Sequence, residues 1–130
     1  MGLCPGVYNG PQSVEESVNV AESAFYFLEA AIANNCAKYT RSYAHWGVTA
    51  ISAEEWSGIL SDWATLQGKL ETSQWAETLN HLKFLDEDAR KDFLIDVEGN
   101  RVGLVNMIGE LSDWLRFRLE IHPVVSVLGI

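Results

Sequence analysis

Positive charge is scarce in this chain: nine Lys and Arg stand against eighteen Asp and Glu, and the formal net charge is −9. A field of that sign repels nucleic-acid phosphates and anionic head groups, which argues against nucleic acid and against a membrane surface as partners. It speeds association with a basic protein. Long apolar runs are also missing, so nothing approaches the ~20 residues of a membrane-spanning helix. The start, Met1-Gly-Leu-Cys-Pro5, has neither the basic nor the apolar segment of a secretory signal, and position 6 is Gly where N-myristoylation calls for Ser or Thr. Cysteine is limited to Cys4 and Cys36, with no Cys-x-x-Cys and no Cys/His grouping at zinc spacing. These absences together predict a cytoplasmic chain with reduced thiols.

Catalytic signatures are lacking too. There is no Gly-x-Ser-x-Gly, no P-loop and no Gly-x-Gly-x-x-Gly. The three histidines are His45, His81 and His122, and none stands in a Glu-x-x-His pair of the kind that builds a di-metal bundle. Glu77 and His81 are four apart and share a helical face, but two ligands do not make a site; the histidines read as surface or rim residues. From Asp86 a calcium loop would need alternating oxygen ligands and a glycine at its sixth place, whereas Arg90 and Lys91 fill the fifth and sixth. The sequence therefore predicts no enzyme, no metal and no cofactor.

What is present is the makings of a core. A chain of 130 residues, 48% of them hydrophobic, is the size of one domain and buries roughly two-thirds of its unfolded surface without disulfides. Residues 1–12 hold two of the three prolines and read as an irregular leader. Ser13-Val-Glu-Glu16 has the form of a capping box. Behind it Val14, Val18, Ala21, Phe25, Leu28, Ile32, Asn35, Tyr39 and Ser42 draw one stripe at alternating steps of three and four, which predicts a helix from 14 to the mid-40s, loosened at Asn34-Asn35 and ended by His45-Trp46-Gly47. Ser52-Ala-Glu-Glu55 is a second capping box, opening a helix with Trp56, Ile59, Leu60, Trp63 and Leu66 on one face and Gly68 as its bend or end. A third helix carries Trp75, Leu79, Leu82 and Leu85, and a short acidic one starts at Asp86. Glu98-Gly-Asn-Arg101 reads as a turn. A last helix over 102–121 places Leu104, Ile108, Leu111, Leu115 and Leu119 in register, and Pro123 stops it. The tail 124–130 is apolar and β-prone; packing back on its own domain is the first expectation for it, with pairing to a second copy or to a partner's sheet edge as alternatives. The predicted fold is thus all-α, one domain over 1–130, an antiparallel bundle of four to five helices with an irregular leader and a short apolar tail.

Candidate binding residues follow from charge and aromatics. Asp88, Asp92 and Asp96 fall at i, i+4 spacing in the densest acid cluster and would face a basic partner, against the plainer reading of a solvated face. Five tryptophans are many for this length. Trp56 and Trp63 read as core. Trp46, beside Arg41 and Tyr43, has the composition of an interface anchor, and Trp114 lies off the stripe of the last helix near Arg118; Trp, Tyr and Arg dominate binding hot spots. The profile (small, acidic, helical and catalytically blank) is similar to that of inhibitor and immunity-type proteins that block a basic partner, a likeness carried by no motif. The competing expectation is a homo-oligomeric bundle with a structural or small-ligand role, drawn from the alanine-rich first helix and the apolar tail; a homodimer stays open.

Overall fold

The Glu55 amide donates to the Ser52 hydroxyl at 3.2 Å, and the Ser52 amide donates back to Glu55 Oε1 at 3.1 Å. This reciprocal pair satisfies two of the amides that every helix start leaves unpaired and sets off the helix Ala53–Glu71. Gly68 neither ends nor bends it into a new element.

The structure, a computed structural model, describes residues 1–6, 17–72 and 75–129; the Ser13–Glu16 capping box and the side chains of Ser42, Trp75 and His81 lie outside the described residues. In chain order the elements are β1 Gly2–Pro5, β2 Val18–Asn19, α1 Glu22–Asn35, α2 Arg41–Ala44, β3 Val48–Ser52, α3 Ala53–Glu71, α4 Trp75–His81, α5 Glu87–Ile95, α6 Val97–Leu119 and β4 Val124–Leu128.

The all-α expectation is overturned. A four-stranded antiparallel sheet in the order β2-β1-β4-β3 packs with the helices, so the fold is mixed α and β. The supposed irregular leader supplies β1 and the apolar tail supplies β4, paired as Leu3 with Val127 and Cys4 with Ser126. On its other side β4 meets β3, with Val125 opposite Ile51 and Val127 opposite Thr49. The tail thus packs on its own domain, as a central strand. Central strands buried on both faces carry no apolar–polar alternation, and that is why β1 and β4 escape a reading by periodicity.

The sheet face bearing Leu3, Ile51, Val125 and Val127 joins one core with Phe25, Leu28 and Ile32 of α1, Trp56, Ile59 and Trp63 of α3, and Ile108 and Leu115 of α6. α3 lies between α1 and α6 and touches both. Two indoles tie it down, one in its first turn and one at its middle: Trp56 Nε1 donates to the Val125 carbonyl at 3.0 Å and Trp63 Nε1 to the Leu28 carbonyl at 3.2 Å. Both rings are buried, as a large apolar body with one polar tip requires. The long first helix is corrected as well. α1 stops at Asn35, the Cys36 amide closes its last turn on the Ile32 carbonyl, and 41–44 form the separate turn α2. At the other end of the chain, Glu98-Gly-Asn-Arg101 is no turn. Asp96 accepts from the Gly99 amide, Asn100 Nδ2 donates to the Phe93 carbonyl at 2.8 Å and Arg101 to the Leu70 carbonyl at 2.7 Å, so α6 begins five residues before 102.

Gly129 fixes how the segment after α2 meets the sheet. Its amide donates to the Gly47 carbonyl at 2.9 Å. A Cβ there would stand 2.2 Å from the Ala44 carbonyl oxygen and 2.5 Å from the Trp46 amide nitrogen, both backbone atoms that cannot rotate away. Gly129→Ala is expected to lower stability by about 2 kcal/mol, in the range of overpacked sites; a urea midpoint equal to wild type would contradict the close approach.

Candidate functional site

α5 is short and has a single buried side chain, Phe93, so it needs anchors. Its start is capped by Asp86, whose carboxylate accepts from the Ala89 amide at 2.8 Å. Phe93 then meets Phe27 of α1 and Phe84 of the preceding loop, with ring centroids 5.4–5.7 Å apart, and Phe27 and Phe84 meet edge-on at 5.3 Å. Such pairs add ~1 kcal/mol each beyond their burial. This aromatic trio holds α5 away from full contact with α1 and α6 and leaves a groove of about 560 Å³. Phe27, Phe93, Leu104 and Met107 make its floor, and Asp86, Asp88 and Asp92 stand along one wall; no Lys, Arg or His lines it.

Two of the three acids singled out in the sequence therefore share one concave surface. Asp96 does not continue their row, because α5 ends at Ile95 and Asp96 turns to cap α6 through its bond to Gly99. Asp88 and Asp92 are exposed, with no ion pair among the described residues, while neighbouring Arg90 is engaged by Glu87 at 3.6 Å.

A second polar assembly sits at the α1–α2 corner. Glu29, on the apolar side of α1 between Phe25 and Ile32, is buried. Its Oε2 accepts from the Tyr39 hydroxyl at 2.8 Å and its Oε1 lies 2.8 Å from His45 Nε2. The other ring nitrogen of His45, Nδ1, is 3.1 Å from Glu22 Oε1. A neutral imidazole has one N–H to give and an imidazolium two. His45 is thus a tethered, largely buried residue and not a free surface one. Its two nitrogens face different carboxylates, so Glu22, Glu29 and His45 do not converge on one point as metal ligands would. Arg41 joins the assembly loosely, 3.6 Å from Glu29 and 4.0 Å from Glu22, with its guanidinium 5.2 Å from the Tyr26 ring centroid.

Burial and the Glu29 carboxylate together hold the Tyr39 hydroxyl protonated far above its ordinary range. Ionisation is disfavoured only in the folded state. The contribution is therefore complete below about pH 10, the ordinary tyrosine value, and is lost as pH rises beyond it. Wild type should lose stability more steeply than Tyr39→Phe between about pH 10 and 11; parallel curves in chemical denaturation would contradict this. At the C-terminal end of α1, burial and the adjacent Glu55 carboxylate raise the Cys36 thiol, which makes it a poor nucleophile.

Of the remaining sequence candidates, Trp46 is 89% exposed, an open aromatic beside exposed Tyr43. Trp114 is half-buried, with the Arg118 guanidinium 4.7 Å above its ring. The Glu29–Tyr39–His45 assembly was not foreseen; the available signal was a lone carboxylate inside the apolar sector of α1. Among the described residues no helix is long and apolar enough to cross a membrane, and no group of three or more metal-ligating side chains is gathered. The chain matches no protein-family model, and no curated protein and no solved structure is significantly similar to it.

Proposed function

We propose that this protein is a binding module that takes a basic segment of another protein into the groove between α1, α5 and α6, in the manner of an inhibitor that covers a cationic target. The observation that carries the reading is the groove's make-up: an apolar floor, three aspartates and no basic side chain in its lining, on a chain of net charge −9. Phe27 and Met107 offer an anchor site for an apolar side chain, and Asp88 and Asp92, free of internal ion pairs among the described residues, offer partners to flanking Lys or Arg. Catalysis is not part of the proposal, nor are nucleic acid and membranes, which the acidic surface would repel. A cytoplasmic setting fits a chain with only two cysteines, both of them buried.

The tail gives no support to the competing oligomer, because β4 is already paired on both edges within its own sheet. The test is calorimetric titration with a basic amphipathic peptide that alternates Lys pairs with Leu and Phe. Asp88→Lys combined with Asp92→Lys is expected to weaken binding at least about tenfold at low salt and by much less at about 0.5 M salt, where surface charges are screened. Equal affinity of wild type and the double variant at low salt would remove the acidic wall from the interaction.

A further inference from the structure

A second cavity, of about 380 Å³, opens on the opposite flank of Phe27, between α1, α3 and the loop after α4. Its body is apolar, made by Phe27, Ala30, Ala33, Leu66 and Leu82, and its mouth carries Arg41 and Lys83. A neighbouring cavity of about 410 Å³ shares Phe27, Ala30, Leu66 and Leu82 and carries Lys69 together with Asp62, whose carboxylate accepts from Asn35 Nδ2 at 2.8 Å, so the apolar trough runs on along α1. Its charge is the reverse of the acid-walled groove. Two of the nine Lys and Arg of the chain stand at this one mouth.

The mouth's carboxylate is already used. Glu29 has its side chain 8% exposed, with Oε1 against His45 and Oε2 accepting a hydrogen bond from the Tyr39 hydroxyl. The cations are not used in the same degree. Lys83 forms no ion pair among the described residues, and Arg41 approaches Glu29 and Glu22 only at 3.6 and 4.0 Å, which leaves guanidinium N–H groups for another acceptor. An apolar trough with positive charge at one end is complementary to a molecule with an apolar body and one anionic end.

We infer that this cavity binds a small amphiphilic monocarboxylate, its carboxylate held by Lys83 and Arg41 and its hydrocarbon body laid on Phe27, Ala30, Leu66 and Leu82. This site is separate from the proposed peptide groove and stands without it.

The probes are octanoate and its uncharged counterpart 1-octanol, followed by amide shifts in the intact protein. Octanoate should bind with a dissociation constant of about 0.5 mM, in keeping with a ligand of about ten non-hydrogen atoms, with shifts at Ala30, Ala33, Leu66 and Leu82. Octanol should bind about tenfold more weakly. Lys83→Ala, at an exposed position, should weaken octanoate about fivefold and leave octanol unchanged. Ala33→Trp, also at an exposed position, should abolish binding of both while the far-ultraviolet spectrum stays that of wild type. Octanol binding as tightly as octanoate, octanoate binding unchanged in Lys83→Ala, or no octanoate shift at millimolar concentrations would each overturn the assignment. A failure here leaves the peptide groove untouched, since Asp88 and Asp92 do not line this cavity.

Discussion

Deletion of residues 124–130 is expected to leave the chain without a cooperatively folded state. β4 is the strand on which the sheet is assembled, paired along its whole length with β1 on one side and β3 on the other. Val125, Val127 and Leu128 are buried, and each such side chain contributes roughly 1.5–3 kcal/mol. Ser126 Oγ donates to the Gly6 carbonyl at 2.9 Å, and Val125 supplies the carbonyl that receives the buried Trp56 indole. The apolar burial alone amounts to about 5–9 kcal/mol, comparable with the whole stability of a domain this size. Circular dichroism and a proton–nitrogen correlation spectrum decide the matter: lost amide dispersion and no thermal transition are expected, and a dispersed spectrum with a cooperative transition would contradict the placement of β4. Val127→Asp, which puts an unpaired charge in the core without shortening the chain, should act in the same direction.

The second large effect is expected at Trp56. The side chain is buried, stacks edge-on with Trp63 at 5.9 Å, and is the one polar tie from α3 to the centre of the sheet that an indole makes. Trp56→Ala removes a large aromatic volume where neither α3 nor β4 has room to collapse, and should lower stability by about 4 kcal/mol. Trp56→Phe keeps much of the ring but not the donor, and its loss should be about half as large. Urea unfolding of the three proteins tests the order. If Trp56→Phe proves as damaging as Trp56→Ala, the hydrogen bond outweighs the packing and the energetic account of the helix–sheet contact is wrong.

What could be read in the sequence was what local chemistry decides. Ser52 and Asp86 open helices because their side chains complete bonds within three residues. Phe25, Leu28 and Ile32, like Leu104, Ile108, Leu111 and Leu115, lie in the core because a 3.6-residue period allows one face only. The sheet stayed hidden because its strands are two to five residues long and its central pair joins residues more than a hundred positions apart. Gly2 and Pro5 in β1 resemble loop residues when seen alone, and a Cβ at Gly2 would stand 3.2 Å from the Asn19 side-chain oxygen of β2, so that side chain would have to give way. The Glu98-Gly-Asn-Arg101 segment stays helical against its turn propensity because Asn100 and Arg101 bond to carbonyls of α5 and α3, a tertiary gain that outweighs the preference of Gly and Asn for turns. The candidate groove was half legible. Asp88 and Asp92 could be picked out as acids one turn apart, but apart from Phe93 their apolar floor comes from α1 and α6, which no local pattern places beside them. The Glu29 assembly draws on residues 29, 39 and 45; the sequence marks Asn34-Asn35 as a weak point of the first helix, but an apolar stripe that runs on to Tyr39 hides the complete break at Cys36 that lets α2 fold back.

The claim on which the functional reading rests is that the acid-walled groove is where a basic partner sits. Titrating isotope-labelled protein with the Lys/Leu/Phe peptide at low salt tests it directly. The account predicts amide shifts concentrated at Ser23, Ala24, Asp88, Asp92 and Met107, reduced at about 0.5 M salt and absent with a Glu-for-Lys peptide. Shifts that map elsewhere, or that appear equally with the acidic peptide, would contradict it.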